Sequence, residues 1–263
     1  MGQTPEEAST RFVEHVSAPP LGTRLARWND GLCLSMRGGF PAALAQGLID
    51  RIAMRAVELD IDVEGPGCRP NVFLYAGNDG AQLAQNLMAR DPKLFQKHMH
   101  FGQDLGREAL NTFLTSDAPV RWWQVTFPIV PSTGFVISDP PGDDPQTIAV
   151  HGASRVRSNI RYDLAWSVVV IETPQMRGVS LDALSDYVAM VVLAQIDPSA
   201  DMRGYDSILN LFVPGNEQRV ASQWDLDYLT ALYRTSPDLM SPDQQTRWVA
   251  QRLARERRED EQP

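Results

Sequence analysis

Histidine and cysteine are scarce in this chain: 263 residues carry four histidines and two cysteines. Of His15, His98, His100 and His151, only His98 and His100 are close in sequence. A metal centre built on imidazoles has that one pair to draw on, and two residues apart they share a face of a strand but not of a helix. Long apolar runs are also missing. The longest, such as Val188–Ala194, is about a third of the roughly 18 residues that a membrane span needs. Basic residues are outnumbered, 24 against 33 acidic, for a formal charge of −9. That sign repels phosphate backbones and anionic lipid, and argues against a nucleic-acid partner. The one basic stretch, Arg247–Arg258, is interrupted by Glu256. No Gly-x-Ser-x-Gly, P-loop or Gly-x-Gly-x-x-Gly run occurs, and Arg37-Gly-Gly39 and Gly77-Asn-Asp-Gly80 read as tight turns. The first residues, MGQTPEEAST, lack the apolar segment of a secretory leader. This fits a periplasmic or secreted chain whose leader has been removed, or a cytoplasmic one.

What is present is ordinary for a globular protein: 43% apolar and 22% charged residues. The chain divides into an N-terminal segment (1–20), a main domain (21–240) and a charged C-terminal helix or tail (241–263). Thr10–Val16 reads as a short helix stopped by Pro19 and Pro20. Residues 24–37 read as a strand with an irregularity at Asn29-Asp30-Gly31. Leu44, Leu48, Ile52, Ala56 and Leu59 recur at helical spacing over Pro41–Leu59. Asn71–Ala76 is a short strand, 81–114 a pair of helices broken at Asp91-Pro92, and Val120–Pro128 a strand. Its Trp122 and Trp123 point to opposite faces, one toward the core and the other either free for a partner or covered by a loop. Residues 131–158, rich in Pro, Gly, Asp and Ser, form a surface loop or a hairpin arm. Leu164–Glu172 is apolar enough for a strand buried on both faces. Ser180 caps a helix to Ile196 that is apolar nearly all round and therefore central. Trp224–Tyr233 is another helix. Ser241 caps the last, whose charged end, Arg252–Pro263, frays into solvent. The order predicts an α/β or α+β fold, one domain with a mixed sheet and helices packed on it.

Cys33 and Cys68 precede two of these strands. They fit one disulfide, worth on the order of 3–4 kcal/mol for its loop, or two unrelated buried thiols. A bridge would imply an oxidising compartment.

The strand DLAWSVVVIET followed by Ser180–Phe212, SLDALSDYVAMVVLAQIDPSADMRGYDSILNLF, resembles in layout the core of zincin-type metallopeptidases, over roughly residues 25–233. The stretches DYVAMVVLAQ and SILNLF are similar to those of exported alphaproteobacterial proteins, a likeness that brings no activity with it. The metallopeptidase motif His-Glu-x-x-His grips zinc with two imidazoles one helical turn apart. Aligned without gaps, Asp186 stands for the first His, Tyr187 for the Glu and Met190 for the second His. The resemblance therefore implies a zincin-like fold whose zinc site is lost, without cofactor or metal, with Asp186, Tyr187 and Met190 marking the former cleft. The expectation is a non-catalytic exported protein that binds a protein or peptide partner. The alternative is a hydrolase whose site lies at His98 and His100 or in the 131–158 loop, where Ser154 follows His151.

Overall fold

The computed structural model describes residues 4–20, 22–95, 103–137, 157–216, 219–238 and 241–260. Five strands form one sheet in the order β1 (Leu34–Gly38), β2 (Val72–Gly77), β5 (Arg161–Glu172), β3 (Val120–Val130), β4 (Phe135–Val136). β1, β2 and β5 are parallel, whereas β3 runs antiparallel to β5 and β4 antiparallel to β3. Seven α-helices accompany the sheet among the described residues: α1 (Pro5–Val16), α2 (Ala42–Glu58), α3 (Gly80–Arg90), α4 (Gly106–Thr115), α5 (Leu181–Leu193), α6 (Gln223–Arg234) and α7 (Pro242–Asp260). The chain is a single mixed α/β domain.

The apolar run of β5 has the cause the sequence suggests. Val169 and Ile171 enter one core with α1, α2, α5, α6 and α7, while Val168 and Val170 enter a second with α3 and α4. Two-sided burial removes the polar alternation of a half-exposed strand. Trp122 and Trp123 divide in the same way, one to each core, and both are buried. Neither indole ring is exposed, because β3 has helices on both faces.

Two segments depart from expectation. Only Leu34–Gly38 of residues 24–37 is strand; the preceding stretch runs through isolated bridges from Arg27 to Asp163 and from Leu32 to Val63. Arg27 itself closes the C-terminus of α6, its guanidinium donating to the carbonyls of Leu232 (3.1 Å), Tyr233 and Thr235 (2.9 Å). As far as Asp260 the C-terminal segment is regular helix: α7 buries Val249, Ala250, Leu253 and Ala254 beside Phe12, Val13 and Val16 of α1. The charges of its last turns are used on its neighbours. Arg257 lies 3.9 Å over the Trp224 ring and Arg258 is 3.4 Å from Glu6.

Cys33 and Cys68 form a disulfide, with Cα atoms 6.0 Å apart, joining the approaches to β1 and β2. At the end of β1, Gly38 (φ +82°) lies so close to Ala76 that an added Cβ would sit 2.5 Å from its carbonyl oxygen. Only glycine fits there.

α5 is the buried hub. Ser180 caps it, its hydroxyl accepting from the Ala183 amide at 3.1 Å. A buried helix end needs partners for its last carbonyls, and here side chains supply them. Gln124 Nε2 donates to Val191 O (2.9 Å) and Ala194 O (3.1 Å), Trp28 Nε1 to Val192 O (2.8 Å), and the Tyr233 hydroxyl to Leu193 O (2.7 Å). Trp122 Nε1 donates to Ile196 O just beyond (3.1 Å). Replacing Tyr233 with Phe strands the Leu193 carbonyl and should cost about 1–3 kcal/mol in urea unfolding. A variant as stable as the parent would show that this carbonyl needs no partner.

Candidate functional site

β3 lies between β5 and the short β4, which pairs only with Ile129 and Val130 and leaves an edge free over Val120–Gln124. Glu172 N donates to Pro119 O at 2.9 Å, and alternation along the strand then turns the backbone groups of Arg121 and Trp123 toward β5 and those of Val120, Trp122 and Gln124 outward. One step on, Thr126 is also outward, and it exchanges two 2.9 Å hydrogen bonds with Gln103. The chain itself thus occupies one rung of this edge and leaves it at Asp104 to enter α4. Among the described residues, nothing pairs with the outward amides and carbonyls of Val120, Trp122 and Gln124.

A groove of about 80 Å³ lies against this stretch. Its floor is Val120–Gln124, one wall is α4 with Leu105, Thr112, Phe113 and Ser116, and the other is formed by Pro20, Gln195 and Ile196. β3 is buried on both faces here. Unpaired main-chain groups in such surroundings are costly unless a ligand or water meets them. Arg121, in the groove floor, is 3% exposed and makes its contacts through one nitrogen: Nη2 donates to Ala118 O (3.1 Å) and lies 3.5 Å from Glu172 Oε2. Burial pushes its guanidinium pKa down, against the pull of Glu172, Asp79 and Asp117.

Asp186, Tyr187 and Met190 do not converge. Asp186 accepts from Arg55 Nη2 (3.1 Å) and from the Ala221 amide (2.8 Å), and lines a shallow hollow of about 370 Å³ between α2 and α5. Tyr187 and Met190 sit on the core side of α5. Tyr187 packs edge-on against Trp122 and Phe212 with ring centroids 6.3 and 5.1 Å away, and burial drives its hydroxyl pKa upward. Met190 is 1% exposed. The three therefore share a helix but no cleft. His98 and His100 lie outside the described residues, as do 138–156 of the 131–158 loop, with His151 and Ser154. Residues 131–137 do form a hairpin arm, β3 turning back into β4 with the Gly134 amide donating to Val130 O at 2.9 Å. The Cys33–Cys68 bridge is present and its thiols are not free.

The SILNLF segment is anchored rather than open. Its Ser207 hydroxyl (2.6 Å) and Ile208 amide (2.7 Å) donate to Asp225, which also accepts from the Ser222 amide at 2.9 Å and so caps α6. The sequence does not disclose the β3 edge, because an unpaired edge is a property of strand order, which one chain does not display. The available signal was Arg121, a charge set in the apolar strand VRWWQVTFP. No family model, curated protein or solved structure matches the chain.

Burial holds the Asp225 carboxyl above the ordinary carboxylate range, with the hydrogen bonds from Ser207, Ile208 and Ser222 opposing it. A carboxyl with a raised folded pKa binds its proton more tightly when folded, so its contribution to stability falls as pH rises from the unfolded value through the folded one. The stability of the wild-type chain relative to Asp225→Asn should decline across that window in urea unfolding at successive pH. A difference that grows with pH contradicts the burial.

Proposed function

We propose that this chain is a non-catalytic exported protein that binds an extended peptide segment by adding it as a strand to the open edge of β3. The observation that carries the proposal is the run of outward backbone groups at Val120, Trp122 and Gln124, unpaired among the described residues, along the floor of a groove. Their two-residue spacing is that of a β-ladder, and main-chain pairing at an exposed edge is an established mode of peptide recognition. Gln103 on Thr126 gives the direction: a strand continuing that side of the sheet would run antiparallel to β3.

The exported reading is supported by the Cys33–Cys68 disulfide, a bond that persists in oxidising compartments. No helix among the described residues is long and apolar enough to cross a membrane. Likeness to a peptidase whose zinc site is lost is supported by element order alone: β1-α2-β2 after α1, then α3, α4 and three further strands, then the buried helix α5. On that reading the segment bound is held without being cut, since Asp186, Tyr187 and Met190 supply no imidazole.

A pooled library of N-acetylated, C-amidated hexapeptides tests strand addition. The immobilised protein should retain a subset of the library. The same sequences N-methylated at alternate residues in the register that faces β3 should lose at least about tenfold in retention, because each methyl removes a donor to the edge. Equal retention of both libraries, or of neither, would contradict ladder pairing.

A further inference from the structure

The face of β3 that meets α4 carries a second set of unmet donors. Arg121 Nε and Nη1 and Trp123 Nε1 are buried and have no hydrogen-bond partner among the described residues. Residues 121 and 123 lie two apart, so they share a face of the strand, and both line the groove. A guanidinium offers five N–H donors and no acceptor, and an indole one donor and no acceptor. These groups cannot satisfy one another. Buried donors without acceptors are rare in folded proteins and cost roughly 1–3 kcal/mol apiece.

We propose that the segment bound at this edge carries a carboxylate, from an acidic side chain or a free C-terminus, that accepts hydrogen bonds from Arg121 and Trp123. The inference rests on the strand-addition reading and adds a chemical preference to it. A carboxylate presents two coplanar oxygens that match the fork of an arginine. Strand addition brings it to the right place, since a residue pairing at the edge projects alternate side chains to the α4 face. The local charge favours a monoanion over a phosphate dianion. Glu172, Asp79 and Asp117 all act on Arg121, and Glu172 Oε2 is already shared with the Gly80 amide at 3.0 Å. These carboxylates oppose a dianion more strongly than a monoanion.

The test compares retention, at one pH and salt concentration, of blocked hexapeptides carrying Asp or Glu at one position with their Asn or Gln counterparts. A parallel arm compares free-acid with amidated C-termini, which separates the two sources of the carboxylate. The wild-type protein should favour the acid by about tenfold in one of the arms. Arg121→Met should abolish that preference and Arg121→Lys should keep part of it, with folding of each variant checked by circular dichroism. The wild-type ratio tests the carboxylate preference even where a variant fails to fold, and a folded Arg121→Met that keeps the preference overturns the assignment to Arg121. Equal retention of acid and amide in both arms, with neutral peptides still bound, overturns the carboxylate and leaves strand addition standing. Retention of no peptide overturns both.

Discussion

A helix that ends inside a protein must find donors for its last carbonyls, and the way α5 does so organises the rest of the fold. Val191, Val192, Leu193 and Ala194 receive their donors from Gln124 of β3, Trp28 of the irregular N-terminal stretch and Tyr233 of α6. Three segments far apart in sequence are thereby fixed to one point. The cost of leaving such carbonyls bare, about 1–3 kcal/mol each, makes the arrangement cooperative. The sheet supplies Gln124 only if β3 is in register with β5, and α6 supplies Tyr233 only if Arg27 holds its end.

The same arrangement leaves the edge of β3 unfilled. Gln124 and Trp122 spend their side chains on α5 and its exit, which ties β3 down on one face, while α4 covers the other. The outward main-chain groups of Val120, Trp122 and Gln124 belong to neither layer. Proteins usually blunt such an edge with proline, a bulge or a covering strand. Here β4 and Gln103 cover β3 from Thr126 onward, and the chain turns away into α4 before reaching Val120–Gln124. The edge is held rigid by interactions made elsewhere, which favours pairing because little ordering remains to be done on binding.

Much of the fold was legible in the sequence because it rests on local signals. Ser180 and Ser241 cap helices by contacts three residues away, and the apolar periods of α2 and α5 mark what they bury. The failures share a cause. Charge at the end of α7 reads as a solvated tail, yet Arg257 lies over Trp224 and Arg258 pairs with Glu6, residues that sequence does not bring near. Two adjacent tryptophans on a strand suggest one exposed indole, unless both faces are covered, as α4 and α5 cover them here. The site was the least legible part. Asp186, Tyr187 and Met190 follow from aligning a helix, whereas the open edge follows from β3 being inserted antiparallel beside β5, and only the assembled sheet shows it.

The most direct measurement is residue-resolved amide hydrogen exchange along β3 in the unliganded protein. The amides of Arg121, Trp123 and Val125 point to β5, and those of Val120, Trp122 and Gln124 to the open edge. An open edge predicts an alternation, with the second set exchanging markedly faster than the first within the same strand. Uniform protection from Val120 to Val125 would mean that the edge is already paired, and would contradict the claim that it is built to receive another strand.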